Sequence, residues 1–232
     1  MTIPAFLLGH RGARKTRSVR ENSLASFDLA LEHGCNGFEF DVRMTGCGRA
    51  LICHDPKVSG VTIAQATCTQ LRDLPVLDQV LARYSRRAFL DIELKVSGLE
   101  SQVLMSLRKH PPERGYVVSS FLPGVLNDLR VRSGGVVLGF ICDQRKNLKY
   151  WRELPVEYLI LHYSLITRKL TEEIHNAGKM LFAWTVNEKE SMLRLAGWCV
   201  DGLISDDSKL LARTFASSGN ERQVKAARKG QA

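Results

Sequence analysis

The sequence lacks long apolar runs and paired cysteine motifs. Its longest apolar segments, such as residues 136–142, fall far short of the roughly 20 residues that a membrane-spanning helix needs. The apolar stretch at residues 3–8 has no Lys or Arg before it, which is not typical of a signal peptide. The six cysteines form no CxxC pair, so we expect reduced thiols and no disulfide framework. These absences predict a cytoplasmic protein without stable membrane insertion.

Basic residues are in excess only at two places. The 232 residues carry a formal net charge of +9. Residues 11–20 hold five basic side chains and no acid, residues 209–232 hold six against one acid, and the rest is close to neutral. No basic stripe interleaved with aromatic residues is present, so nucleic-acid binding is not expected. The basic C-terminal segment is expected to be a solvated terminus, with weak contact to anionic lipid as the alternative.

Short apolar runs typical of strands alternate with segments of helical spacing. The runs span residues 5–9, 37–42, 50–54, 89–94, 115–119, 136–140, 158–162, 180–185 and 201–205. Helical stripes lie between several of them, such as Leu24, Phe27 and Leu31 after a cap at Asn22 or Ser23, and others begin at Leu77, Leu99 and Leu170. This alternation is typical of an α/β protein with a parallel sheet and crossover helices.

Nine runs are one more than an eightfold barrel uses. Only a short Gly-containing break, residues 45–48, separates the second run from the third. We therefore interpret the third run as a β-excursion directly after strand 2. The remaining eight predict a (β/α)8 TIM barrel, a single domain over residues 1–216. Residues 217–232 are small, polar and basic, and we expect a disordered tail there.

Acidic residues lie near the predicted C-terminal ends of two strands. Glu39 and Asp41 are two residues apart, so both side chains point to the same face of their strand. Glu93 and Lys95 repeat this spacing at residues 89–94 and just beyond. Because the carboxyl ends of barrel strands form one mouth, the three carboxylates are expected to converge, and such a set suits Mg²⁺ or Ca²⁺. The alternative is a buried salt-bridge network with Lys95 and Arg11.

Two histidines also end predicted strands. His10 is followed by Arg11 after the first run, and His54 is followed by Asp55 after the excursion. Histidine, with an ordinary pKa of about 6.5, can supply a general acid or a general base near neutral pH. A lone histidine is often only a structural hydrogen-bonding group. Several polar sites at the ends of strands favour catalysis, because this is the face on which the fold carries chemistry.

Taken in order, these motifs resemble those of the glycerophosphodiester phosphodiesterase family. The matching segments are His10-Arg11-Gly12, Glu21-Asn22, Ser26-Phe27, Glu39-Phe40-Asp41, His54-Asp55, Glu93-Leu94-Lys95, Ser119-Ser120-Phe121, Trp184-Thr185-Val186-Asn187 and Asp201-Gly202-Leu203-Ile204-Ser205-Asp206. They span nearly the whole expected barrel. The resemblance implies an enzyme, a metal-dependent phosphodiesterase that hydrolyses glycerophosphodiesters to glycerol 3-phosphate and an alcohol.

The resemblance also implies a role for each matching residue. Glu39, Asp41 and Glu93 resemble the ligands of one divalent cation, Mg²⁺ or Ca²⁺. His10 and His54 resemble the general acid/base pair. In the family's usual mechanism a hydroxyl of the glycerol attacks the phosphorus first, and water then opens the cyclic phosphate.

Three further residues resemble the family's substrate contacts. Arg11 and Lys95 correspond to residues that hold the phosphate. Trp184 corresponds to an aromatic wall under the glycerol, with plain barrel packing as its alternative. This sequence departs from the family pattern in the basic loop from Arg14 to Arg20, where a proline is usual before Glu-Asn. We hypothesise that this loop favours an anionic alcohol moiety or a phospholipid surface.

Two other functions remain open from the sequence. The first is a lysophospholipase D-like hydrolysis of lysophospholipids on the same scaffold, for which an enlarged apolar entrance would be needed. The second is a non-catalytic phosphate- or membrane-binding protein that uses the basic loop and tail. The presence of both histidines and all three acids favours the enzyme, because a binding protein has no use for the full set.

Overall fold

Eight parallel strands close into a ring in this protein. The computed structural model describes residues 3–216. The ring strands are β1 (Phe6–Gly9), β2 (Gly37–Met44), β6 (Phe89–Leu94), β7 (Tyr116–Ser120), β8 (Leu138–Cys142), β9 (Tyr158–His162), β10 (Met180–Trp184) and β11 (Gly202–Ser205). Hydrogen bonding runs in the order β1-β11-β10-β9-β8-β7-β6-β2, and the pairing of β1 with β2 closes the ring. The predicted (β/α)8 TIM barrel is confirmed.

The predicted excursion after the second strand is also present. β3 (Ala50–Ile52) pairs antiparallel with the end of β2, outside the ring. The turn before it contains Gly48 at a φ of +82°, a conformation that favours glycine. A small hairpin follows, formed by β4 (Lys57–Val58) and β5 (Val61–Thr62). The sequence did not predict this hairpin, because strands of two residues are too short to have a periodic pattern.

Helices cover the outside of the ring. They are α1 (Leu24–Glu32), α2 (Leu77–Tyr84), α3 (Glu100–Lys109), α4 (Pro123–Arg132), α5 (Arg168–Asn176) and α6 (Lys189–Gly197), and residues 208–216 are also helical. The stripes that begin at Leu24, Leu77, Leu99 and Leu170 lie on or at the start of α1, α2, α3 and α5. Between β8 and β9 the chain forms a 3₁₀ segment, Arg145–Arg152. Within residues 3–216, no helix is both long and apolar enough to cross a membrane.

The ring encloses an apolar floor below its polar mouth. Seven ring strands each contribute one buried side chain to the floor: Leu8, Phe89, Val117, Ile141, Ile160, Phe182 and Ile204. A larger apolar cluster lies between the ring and the helices. Fully burying a side chain of this size contributes roughly 1.5–3 kcal/mol. Packing below and around the strands therefore holds their C-terminal ends, where the polar residues lie, in fixed positions.

The expectation that all cysteines are reduced is wrong for one pair. Cys47 and Cys68 form a disulfide, with their Cα atoms 5.8 Å apart. Cys47 lies in the turn before β3, and Arg49 Nη1 donates to the carbonyl of Cys68 at 2.9 Å, so the fold brings two distant segments together. Cross-linking a loop of this length stabilises by about 3 kcal/mol in the chain-entropy model. Disulfides persist in oxidising surroundings, so one ground for the cytoplasmic prediction is lost.

The predicted disordered tail, residues 217–232, lies outside the described residues, and the expectation of a weak lipid contact there stays a prediction.

Candidate active site

Three carboxylates meet at the mouth of the barrel. Glu39 and Asp41 on β2 and Glu93 on β6 each offer an oxygen, and these oxygens lie within 4.8 Å of one another. Asp41 is the register partner of Glu93 in the β2–β6 ladder, so neighbouring strands place the two groups side by side. Burial and the nearby Asp41 raise the pKa of Glu93 to about 7, and burial with both neighbouring acids raises the pKa of Glu39 well above its ordinary value. Charge repulsion inside the cluster is therefore strong.

Two cations reach the carboxylate cluster but do not balance it. Lys95 Nζ lies 2.6 Å from Glu93 Oε1 and 3.3 Å from Asp41 Oδ1. Arg11 Nε lies 3.3 Å from Asp41 Oδ2, and the backbone N–H of Arg11 donates to Glu39 Oε2 at 3.0 Å. Although burial acts in the opposite direction, Lys95 and Arg11 lower the pKa of Asp41. Glu39 Oε1 is buried and has no hydrogen-bond partner among residues 3–216. The salt-bridge network that the sequence left as an alternative exists, yet it leaves this oxygen free.

Asn22 orients one of the carboxylates. Its Nδ2 donates to Asp41 Oδ2 at 2.8 Å, and its Oδ1 accepts from the backbone N–H of Asp41 at 3.3 Å. The sequence left the cap of α1 open between Asn22 and Ser23; Ser23 is the cap and accepts from the backbone N–H of Ser26. Asn22 has a φ of 54°, in the left-handed region that Asn tolerates better than most residues. Its side chain is thus free to hold Asp41.

His10 is fixed between two acids. Its Nδ1 lies 2.6 Å from Asp206 Oδ1, and its Nε2 lies 3.7 Å from Glu39 Oε2. Burial lowers the pKa of His10, and Asp206 opposes this effect. Burial alone would raise the pKa of Asp206, but hydrogen bonds from His10, Asn187 and Arg14 lower it, so Asp206 is ionised. An ionised carboxylate accepts from Nδ1–H, which leaves Nε2 without a proton.

His54 lies at the side of the site, after the excursion strand. Its Nδ1 is 2.8 Å from Asp55 Oδ1, and its backbone carbonyl accepts from Arg43 Nε at 2.6 Å. About a third of its side chain is exposed. It lines a cleft together with Asn22, the partner of Asp41. The second histidine is therefore next to the carboxylate cluster but more open to solvent than His10.

Trp184 forms an aromatic side of the mouth at the end of β10. Its ring centroid lies 6.4 Å from that of His10, and the rings of Phe121 and His162 stand nearly perpendicular to it at 5.6 and 5.8 Å. Trp184 also lines a small cavity with Glu93 and His10, so it faces the site and is not confined to barrel packing. All eight residues that the sequence predicted for the site therefore lie at one mouth.

Comparison with known proteins gives the family. The sequence profile of the glycerophosphoryl diester phosphodiesterase family matches residues 10–94 and 83–210. The chain belongs to this family. A glycerophosphodiester phosphodiesterase from Caldanaerobacter subterraneus subsp. tengcongensis is 28% identical over 245 residues, which cover 94% of this chain and 100% of the relative.

Solved structures of other family members have the same fold. A glycerophosphodiester phosphodiesterase from Parabacteroides distasonis matches with a TM-score of 0.82 at 21% identity, covering 94% of this chain and 100% of the other. An Oleispira antarctica phosphodiesterase in complex with the product sn-glycerol-3-phosphate matches with a TM-score of 0.80 at 23% identity, covering 92% and 97%. At 21–23% identity, these structural matches show that this family member shares the barrel fold, and they show nothing further about its function.

Two residues of the site in this family member, Asp206 and Asp91, were not predicted from the sequence. Asp206 follows β11 and lies next to His10, which follows the neighbouring strand β1; this contact depends on the pairing of the first strand with the last, which local spacing does not show. Asp91 lies below the acids, where burial raises its pKa to about 8, and it accepts from Ser119 Oγ at 2.5 Å. Asp91 is two residues before Glu93 on the same strand, and this spacing is the one sequence signal that its side chain lies inside the barrel.

Replacing Asp206 with Asn is expected to lower kcat/KM by roughly 10²-fold to 10⁴-fold, because Asp206 holds His10 in the tautomer that leaves Nε2 free to accept a proton. Asp206 raises the pKa of His10, so its loss lowers that pKa further. If neutral His10 is the active form, activity falls as the pH drops through this pKa, and the acid limb of the kcat/KM profile moves to lower pH. The pH profile of kcat/KM for the variant checks this result.

The control is Asp207→Asn. In the unmodified protein the Asp207 carboxylate pairs with Lys15, so this variant is expected to leave the pH profile unchanged. An unshifted acid limb in Asp206→Asn would contradict this role.

Proposed function

We propose that this protein hydrolyses glycerophosphodiesters to glycerol 3-phosphate and an alcohol. The observation that carries the proposal is the buried carboxylate cluster with an unpartnered oxygen, Glu39 Oε1, with His10 3.7 Å from Glu39 and His54 on the cleft next to the cluster. Family membership supports it, as do relatives that bear the name of this activity. The bound product of the Oleispira antarctica phosphodiesterase is the expected product of this reaction.

One divalent cation, Mg²⁺ or Ca²⁺, fits the three carboxylates. Glu39, Asp41 and Glu93 would hold it, since both ions take oxygen ligands and the cluster has more acidic than basic charge. When bound, the cation acts as a Lewis acid toward the phosphate and offsets the repulsion among the carboxylates. Arg11 and Lys95, already at the cluster, would bind non-bridging phosphate oxygens and neutralise charge that develops on them.

The two histidines are suited to opposite proton transfers. His10 is buried, has a lowered pKa and has a free Nε2, so it is neutral near pH 7 and suited to take the proton from the attacking glycerol hydroxyl. His54 lies beside the open cleft and would donate a proton to the departing alcohol. Trp184, close to His10, would carry the glycerol on its ring face. A cyclic phosphate would form first and be opened by water, with the two histidines exchanging roles.

The proposed function is tested by glycerol 3-phosphate release. Glycerophosphocholine and glycerophosphoethanolamine are incubated with the protein in EDTA, and then with Mg²⁺ or Ca²⁺ added back. We expect release with at least one of the two ions and none in EDTA. Release that is equal in EDTA would contradict the metal requirement. No release from either diester under any condition would contradict the proposed activity itself.

A further inference from the structure

A cleft opens beside His54, next to the carboxylate cluster. It has a volume of about 330 Å³ and is lined by residues of two segments, the loop after β1 and the stretch from β3 to β4. Asn22, the partner of Asp41, lies on its wall. The cavity under Trp184, by contrast, has only about 20 Å³, room for about one water molecule. The cleft is therefore the place where a substituent larger than glycerol fits next to the proposed proton donor.

Some cations of the basic loop form ion pairs within the protein, and others do not. Arg14 lies 2.7 Å from Glu21 and 3.1 Å from Asp206, and Lys15 lies 2.9 Å from Asp207. These two side chains hold the loop against the barrel and are occupied in doing so. Arg14 and Lys15 are therefore not available to bind the substrate, so the whole loop from Arg14 to Arg20 cannot select it, and only its remaining cations can have this role.

Two cations on the cleft wall are free. Arg20 from the loop and Lys57 from the hairpin both line the cleft. Neither has a carboxylate within ion-pair distance among the residues that the structure describes, whereas Arg14 and Lys15 of the same loop are both paired. Of the two acids on the same wall, Glu21 forms an ion pair with Arg11 at 2.8 Å, and Asp55 forms a hydrogen bond with His54 at 2.8 Å.

We propose that this cleft receives the alcohol half of the diester and favours alcohols that carry a carboxylate or a phosphate, with Arg20 and Lys57 as the residues that determine this preference. The inference rests on the proposed function. A concave site with two unpaired cations raises the local concentration of anions. Each partly exposed ion pair contributes modestly, so the two cations together correspond to a preference of roughly 5-fold to 10-fold.

The test uses two substrates that differ by one carboxylate. Glycerophosphoserine and glycerophosphoethanolamine have the same ester linkage and the same ammonium group, and kcat/KM for glycerol 3-phosphate release is measured for both. We expect the serine diester to be preferred by roughly 5-fold to 10-fold in the unmodified protein. In Arg20→Gln and in Lys57→Gln, the logarithm of the ratio of the two kcat/KM values is expected to fall by about half. In the double variant, the ratio itself is expected to approach one.

Arg17→Gln is the matched control. Arg17 is exposed in the same basic loop but does not line the cleft, so its loss removes the same charge from the protein without removing it from the cleft. The inference is overturned if the unmodified protein has a ratio of one, if the double variant keeps the ratio, or if Arg17→Gln lowers the ratio as much as Arg20→Gln. In those cases both diesters are still hydrolysed, whereas hydrolysis of neither would overturn the proposed function as well.

Discussion

Replacing Glu39 with Gln is expected to lower kcat/KM for glycerophosphocholine by roughly 10³-fold or more, because a bound cation contributes several kcal/mol to transition-state stabilisation. The substitution keeps the size of the side chain but removes the charge that a hard cation requires. Binding of Mg²⁺ or Ca²⁺, measured by calorimetry, is expected to be lost together with activity.

The same substitution is expected to raise stability when no metal is present. Burial and neighbouring acids raise the pKa of Glu39 in the folded protein, so this carboxyl group lowers the free energy of unfolding near pH 7, and the cost disappears only as the pH falls below the ordinary pKa of a glutamate. Gln has no such charge, and Tm in EDTA should rise. Adding cation should raise the Tm of the unmodified protein and leave that of Glu39→Gln unchanged.

Glu32→Gln serves as the control for both measurements, since Glu32 is an exposed residue at the end of α1. A Glu39→Gln variant that keeps cation binding and activity would rule out Glu39 as a ligand. A variant with a lower Tm in EDTA would contradict the electrostatic account of the cluster.

The loss of activity in His54→Ala is expected to depend on the leaving group of the substrate, whereas the loss in His10→Ala is not. His54→Ala should lower kcat for glycerophosphocholine by roughly 10²-fold to 10⁴-fold, the usual contribution of a general acid. With a p-nitrophenyl ester of glycerol phosphate, the departing p-nitrophenolate needs no proton, so the loss should shrink to about 10-fold or less. His10→Ala should lose activity on both substrates to the same extent, because the attacking hydroxyl is unchanged.

The leaving-group comparison assigns the roles directly. His110→Ala is the control, since His110 lies at the end of α3 and its Nε2 is 3.5 Å from Asp78, away from the mouth. If the p-nitrophenyl ester rescued His10→Ala and not His54→Ala, the proposed roles would be reversed. If it rescued neither, the assignment of His54 as the acid would be wrong.

Local patterns predicted the barrel because each ring strand is a short apolar run with its own boundaries. The break at residues 45–48 correctly separated β3 from the ring, and most stripes of helical spacing correspond to helices. α4 and α6 were not predicted; in α4, Val125, Leu126 and Leu129 have helical spacing, but the exposed Val131 weakens the contrast between its apolar and polar faces. Packing against the ring compensates for this weak local signal.

The site was predictable where strand geometry alone brings residues together. Glu39, Asp41 and Glu93 have i, i+2 or register relations that a sheet enforces. His10 and Asp206 directly follow Gly9 and Ser205, which are register partners in the β1–β11 ladder, so their contact follows only once the ring closes. Cys47 and Cys68 are 21 residues apart, and no periodic pattern predicts that they meet. The same holds for Lys57, whose relation to Arg20 depends on where the β4–β5 hairpin lies. Contacts of this kind follow from tertiary structure.

The disulfide between Cys47 and Cys68 closes a segment that carries some of the residues proposed to act on the substrate, while others lie on the ring. The closed segment between these cysteines carries His54 and Lys57, and it lies outside the ring that holds the carboxylates and His10. The residue proposed to protonate the alcohol and one of the residues proposed to recognise it thus belong to one covalently bounded insert. Substitutions inside this insert can alter the range of accepted alcohols while the phosphate-cleaving centre keeps its geometry, which makes residues 48–67 the natural target for redesigning specificity.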